Sequence, residues 1–141
     1  HALPAVTAAE IEAATRVLST MGHLIWLQSE AELDPVTAVS GSGPAYVFYF
    51  IEALEQAAIE LGLAPAAART LAMETFLGAA KLAAGSADSP AELRARVTSK
   101  GGTTEAAIAS LEADQVKSAM LRAVRAANGR AAELGDELGG S

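Results

Sequence analysis

The chain has 141 residues, enough for one domain with a real hydrophobic core, and 51% of them are hydrophobic while only 4% are aromatic. A net charge of −7 argues against nucleic acid, where binding begins with a basic footprint, and against anionic membrane surfaces. With no cysteine and histidines only at His1 and His23, disulfides, thiolate metal sites and thiol catalysis are excluded, and a zinc enzyme is disfavoured.

Most of the apolar content is Ala, Leu, Val and Ile. Alanine has the best helix propensity, and small side chains let helices approach closely, so the composition points to an all-α domain with tight helix contacts. The most apolar run, Ala45 to Ile51, is shorter than the ~20 residues a membrane helix needs. His1-Ala2-Leu3-Pro4 lacks the basic region and apolar stretch of a signal peptide. These features predict a cytoplasmic protein without nucleic acid or membrane partners.

In chain order, a lead-in over 1–6 precedes Thr7, which with Glu10 forms a capping box. Ile11, Ala14, Val17, Leu18 and Met21 share one face of a helix expected to stop at Gly22. Leu24-Ile25-Trp26-Leu27 is too short to type and reads as a strand or an extended plug. A helical turn is expected from Glu30 to Leu33, before Pro35, and Val36 to Val39 could pass as a strand. Pro44 suits the first position of a helix running to about Leu61 and ending at Gly62. Its first half is apolar on every side, so it is central to its domain or covered by another subunit. Further helices are expected over Pro65 to Ala84, stopped by Gly85, and over Pro90 to about Val97, with Ser89 as cap and Glu92 completing a box. Two more run from Thr103 to about Ala113 and from near Gln115, fading after Leu134 into a flexible tail over 135–141. No internal repeat or linker interrupts this pattern, which predicts a single helical domain over 1–141.

Two glycine-bearing segments are candidates for chemistry. Gly41-Ser42-Gly43 invites a dinucleotide reading, but the third glycine position is Tyr46 and Pro44 removes an amide that would face a phosphate. A structural helix entry is the better reading. Thr98-Ser99-Lys100-Gly101-Gly102-Thr103-Thr104 runs straight into the start of a helix. Such a terminus has unpaired N–H groups and a partial positive charge that attract anions. Two glycines let the backbone approach a ligand, and Ser99, Thr103 and Thr104 offer hydroxyls beside the charge of Lys100. The guest would be a small carboxylate or phosphate. The alternative is a turn in which one of these hydroxyls caps its own helix, and the residues alone leave both open. Elsewhere, Glu52, Glu55, Glu60 and Glu74 read as solvated helical carboxylates, and Tyr46 and Tyr49 as packed rings with bonded hydroxyls.

Ser40-Gly41-Ser42-Gly43-Pro44-Ala45-Tyr46, Leu77-Gly78-Ala79-Ala80-Lys81, Pro90-Ala91-Glu92-Leu93 and Val97-Thr98-Ser99-Lys100-Gly101-Gly102-Thr103-Thr104 fall in the order and spacing of pyrroline-5-carboxylate reductases. The resemblance covers about Thr7 to Leu134 and is most specific at the glycine–threonine segment. It implies an interlocking helical dimerisation domain like the C-terminal domain of 6-phosphogluconate dehydrogenase-type proteins. A separate N-terminal domain, absent from this chain, would bind NADPH or NADH, so the chain by itself is expected to be inactive. The implied reaction is hydride transfer to the C=N bond of 1-pyrroline-5-carboxylate, giving proline in the last step of its synthesis. The implied assembly is a homodimer, which can build a ring of five dimers. The substrate would be held by Ser99, Gly101, Gly102, Thr103 and Thr104. Its carboxylate would lie on the Ser99 hydroxyl and the Gly102 and Thr103 amides, with Thr104 near the ring nitrogen as the catalytic position. The family most often has proline where this chain has Lys100, and Ala87 stands where an acidic residue is common, although Asp88 follows it. The competing readings are a purely structural helical dimerisation module and the helical half of an imine reductase for another cyclic imine.

Overall fold

The computed structural model describes residues 1–139, and among them there is no strand. The first helix, α1 (Ala8–Leu18), opens with the expected capping box: Thr7 accepts from the Glu10 amide, and the Glu10 carboxylate accepts from the Thr7 amide at 2.8 Å. It ends at Leu18 rather than at Gly22. Tighter turns take over there, with Thr20 N and Met21 N donating to Val17 O and Leu18 O. The Thr20 hydroxyl also donates to the Val17 carbonyl at 2.7 Å, local bonding that competes with the helix ladder. Leu24 to Leu27 has no regular secondary structure, and the Trp26 indole N–H ties it back to the Thr15 hydroxyl at 2.9 Å.

From Glu30 the chain is helical almost without a break: a 3₁₀ turn Glu30–Glu32, α2 (Leu33–Val36), a π-turn Thr37–Gly41 and α3 (Gly43–Glu60). Pro35 therefore lies inside a helix that was expected to end before it. It is tolerated there because amides in a first helical turn have no intrahelical acceptor. The Val36 to Val39 segment is helical, not a strand. The wider π-turn buries Ala38, and the Tyr46 hydroxyl donates to the Ala38 carbonyl at 3.0 Å.

After a turn at Gly62, where φ is +97°, α4 (Pro65–Ala84) returns along α3. Ala68 and Ala72, one turn apart on α4, are buried, as close helix contact requires. Arg69 bridges to Glu55 on α3. The short α5 (Pro90–Arg96) begins at the expected Ser89–Glu92 box, and α6 (Thr103–Ala113) follows the glycine turn. The last helix, α7 (Val116–Gly139), packs against α6, α2 and the π-turn. It runs past Leu134, where a flexible tail was expected. Arg130 pairs with Glu133 at 2.8 Å and Glu137 at 2.9 Å, holding these turns together. Positions 140 and 141 of that expected tail lie outside the described residues.

Candidate functional site

The expected site residues come together in the turn from α5 to α6. Thr98 closes the end of α5, its hydroxyl donating to the Arg94 carbonyl at 2.7 Å and its amide to Ala95 at 3.1 Å. Gly101 has φ +75°, a left-handed conformation natural to glycine. Its amide donates to the Glu105 carboxylate at 2.7 Å. Gly102 is the N-cap of α6 and gives it no side-chain bond. A Cβ at Gly102 would stand 2.7 Å from the Ser99 hydroxyl and 3.0 Å from the Ser99 carbonyl oxygen. The missing side chain is therefore what lets Ser99 lie against the mouth of α6.

Two features bear on the turn's capacity to hold an anion. Among the described residues, the hydroxyls of Ser99, Thr103 and Thr104 take part in no hydrogen bond, and the Thr103 and Thr104 amides at the start of α6 have no acceptor. No hydroxyl caps the helix, so the form of the structural alternative in which one does is not the arrangement found. The Gly102 amide, however, donates to the Ser99 carbonyl at 3.0 Å. Of the two amides that the family resemblance offers a carboxylate, only that of Thr103 is free. Asp88 is engaged elsewhere, by Arg96 and Ser86. Glu105 was not singled out from the sequence, although a glutamate three residues after an N-cap is a recognisable capping position.

The Gly41–Gly43 segment does not fit a dinucleotide. It sits in a helical run, with a π-turn rather than a strand before it, so the backbone offers no pyrophosphate cradle.

A second surface is larger. Along α3, α6 and α7 lies an open groove of about 930 Å³, lined by Tyr46, Tyr49, Phe50, Leu54, Leu111 and Met120 among others. Tyr49 and Phe48 are 70% and 66% exposed, and Leu54 and Leu82 also face solvent. The accessible surface is 10809 Å² for a mass of 14.3 kDa. A compact monomer of this mass exposes about 6,800 Å², so the excess is about 4,000 Å². Exposed apolar side chains such as Phe48, Tyr49 and Leu54 contribute to this excess.

These elements make an all-helical domain with exposed apolar faces. The family model for pyrroline-5-carboxylate reductase dimerisation matches residues 30–134, and the chain belongs to that family. A pyrroline-5-carboxylate reductase from Pseudomonas aeruginosa is 49% identical over 134 residues, 95% of this chain and 49% of that protein. The structure of a Coxiella burnetii pyrroline-5-carboxylate reductase matches with a TM-score of 0.89 and 41% identity, covering 94% of this chain and 49% of that one. A Plasmodium falciparum pyrroline carboxylate reductase with NADP bound matches at 0.84 and 28% identity, covering 94% of this chain and 50% of that one. The chain thus spans about half the length of the curated relatives it matches. Among the described residues, no helix is long and apolar enough to cross a membrane.

Proposed function

We propose that the protein containing these residues is a cytoplasmic reductase that transfers hydride from NADPH or NADH to the C=N carbon of 1-pyrroline-5-carboxylate, yielding proline. In this reading the 141 residues supply pairing and the carboxylate site, and the nicotinamide is held by another part of the protein. Family membership supports the reading, and so does the single observation that carries the site: the Ser99 hydroxyl lies at Gly102 beside the unpaired first amides of α6. A carboxylate placed there accepts from the Ser99 hydroxyl and the Thr103 and Thr104 amides, favoured by the positive end of the helix. Gly101 and Gly102 give the conformation and the room. The Thr104 side chain is assigned to the ring nitrogen, which must be protonated for the imine to accept hydride well. The apolar groove is assigned to the twofold mate, and five such dimers can close a ring.

The start of the family match at Glu30 supports a place for the nicotinamide-binding part. α1 has no buried residue, and Val17, Met21 and Ile25 are exposed. We assign these exposed side chains, on and after α1, to contact with that part of the protein.

The test is the intact reductase with Ser99→Ala and Thr104→Ala. Each should weaken productive binding of the imine by about 1–3 kcal/mol, the worth of a hydrogen bond to a charged group. Unchanged KM and kcat in both variants would remove these residues from the site and favour a purely structural turn. A folded, nucleotide-bound protein that ignores this imine would move the function to another cyclic imine.

A further inference from the structure

Seven residues make up α5, and none of them is buried. Only Leu93 of α5 is half-buried, and the site turn grows directly out of the last turn of this short helix. The Arg94 carbonyl accepts from both the Val97 amide, at 3.2 Å, and the Thr98 hydroxyl. Wherever the end of α5 points, Ser99 follows.

We propose that Asp88 and Arg96 are positioning residues for the Ser99–Thr104 turn, an inference that rests on the substrate reading given above. Arg96 is the last residue of α5, three positions before Ser99. Its guanidinium pairs with the Asp88 carboxylate, in the loop before α5. Asp88 is itself held in place: the Ser86 hydroxyl donates to its carboxylate at 3.0 Å and accepts from its amide at 3.1 Å. The pair therefore ties the end of α5 back to an ordered loop at its start. On the other flank, Arg94 reaches Glu112 on α6 at 3.1 Å. Two ion pairs thus tie α5 to its neighbours, one at the loop before it and one on α6. The Asp88 side chain is 27% exposed and that of Arg96 66%, so water screens the pair and its effect is a modest one.

Arg96→Met in the intact reductase should raise KM for 1-pyrroline-5-carboxylate about two- to fivefold, the range of a partly screened ion pair, with kcat unchanged. Arg96→Lys should restore KM, because the contact is one of charge at a single oxygen. Asp88→Asn combined with Arg96→Met should be no worse than Arg96→Met alone, since both remove the same interaction. An unmoved KM in Arg96→Met, or single effects that add in the double variant, would overturn the assignment. A substrate-free measurement decides independently. In the 141-residue chain, Arg96→Met should speed amide exchange at Gly101 and Gly102 while α3 and α4 exchange as before. Unaltered exchange there would overturn the proposal. A wild-type reductase that ignores the imine would instead overturn the functional reading, leaving the exchange result to judge the positioning.

Discussion

Tyr49 shows 70% of its surface to solvent on the wall of the apolar groove, with its ring edge-on to Phe50 at 6.0 Å. If a second copy of the chain covers this wall, pairing hides roughly 140 Å² of each Tyr49 side chain. At about 25 cal/mol per Å², that is about 3.5 kcal/mol for each protomer and about 7 kcal/mol for the dimer. Tyr49→Ala should then raise the dissociation constant by about five powers of ten. The ring makes few contacts within its own chain, so the folded protomer should lose little. Sedimentation velocity from nanomolar to micromolar concentration reads both states directly. The unaltered chain should sediment as a dimer throughout, and Tyr49→Ala should dissociate within that range. A Tyr49→Ala chain that stays dimeric over the whole range would refute the placement of this wall in the interface. A well-folded wild-type monomer at micromolar concentration would refute the interface altogether.

Gly102→Ala should damage the site more than the fold: its Cβ would meet the Ser99 hydroxyl and carbonyl, so substrate KM should rise steeply while the melting temperature changes little. A variant with normal KM would show that the Ser99–Gly102 contact is dispensable. The capping boxes predict an acid-side effect. The Ser89 hydroxyl and amide hold the Glu92 carboxyl below its ordinary pKa, and those of Thr7 do the same for Glu10. A depressed carboxyl contributes stability that is present above its unfolded pKa and lost as pH falls through the folded one. Glu92→Gln should therefore flatten the fall of melting temperature below the ordinary glutamate pKa, and an unchanged slope would count against the box.

Helix boundaries were legible where local chemistry alone decides them. Ser89-Pro90 with Glu92 starts α5, Gly85 stops α4, and Pro65 opens it, each at the expected residue. Boundaries failed where side-chain bonding intervenes, as where the Thr20 hydroxyl on the Val17 carbonyl accompanies the early end of α1. The π-turn depends on a tyrosine hydroxyl eight residues on reaching the Ala38 carbonyl. The last turns of α7 depend on Arg130 gathering two glutamates across glycines that predicted a tail. The turn from Ser99 to Thr104 was legible as a helix entry because its residues are contiguous, whereas its internal bonding was not. That the Gly102 amide is committed to Ser99, and the Gly101 amide to Glu105, follows from the turn's closure in three dimensions. The apolar run on α3 announced a covered helix, and its exposed Phe48 and Tyr49 show that the chain alone does not cover it.

The most direct test of the functional account follows NADPH oxidation in the presence of 1-pyrroline-5-carboxylate. It compares the longer protein, carrying a nucleotide-binding part joined to these residues, with the 141-residue chain. The account predicts turnover to proline by the longer protein and none by the chain alone. Turnover by the 141 residues alone, or a nucleotide-bound longer protein inert toward this imine, would contradict it.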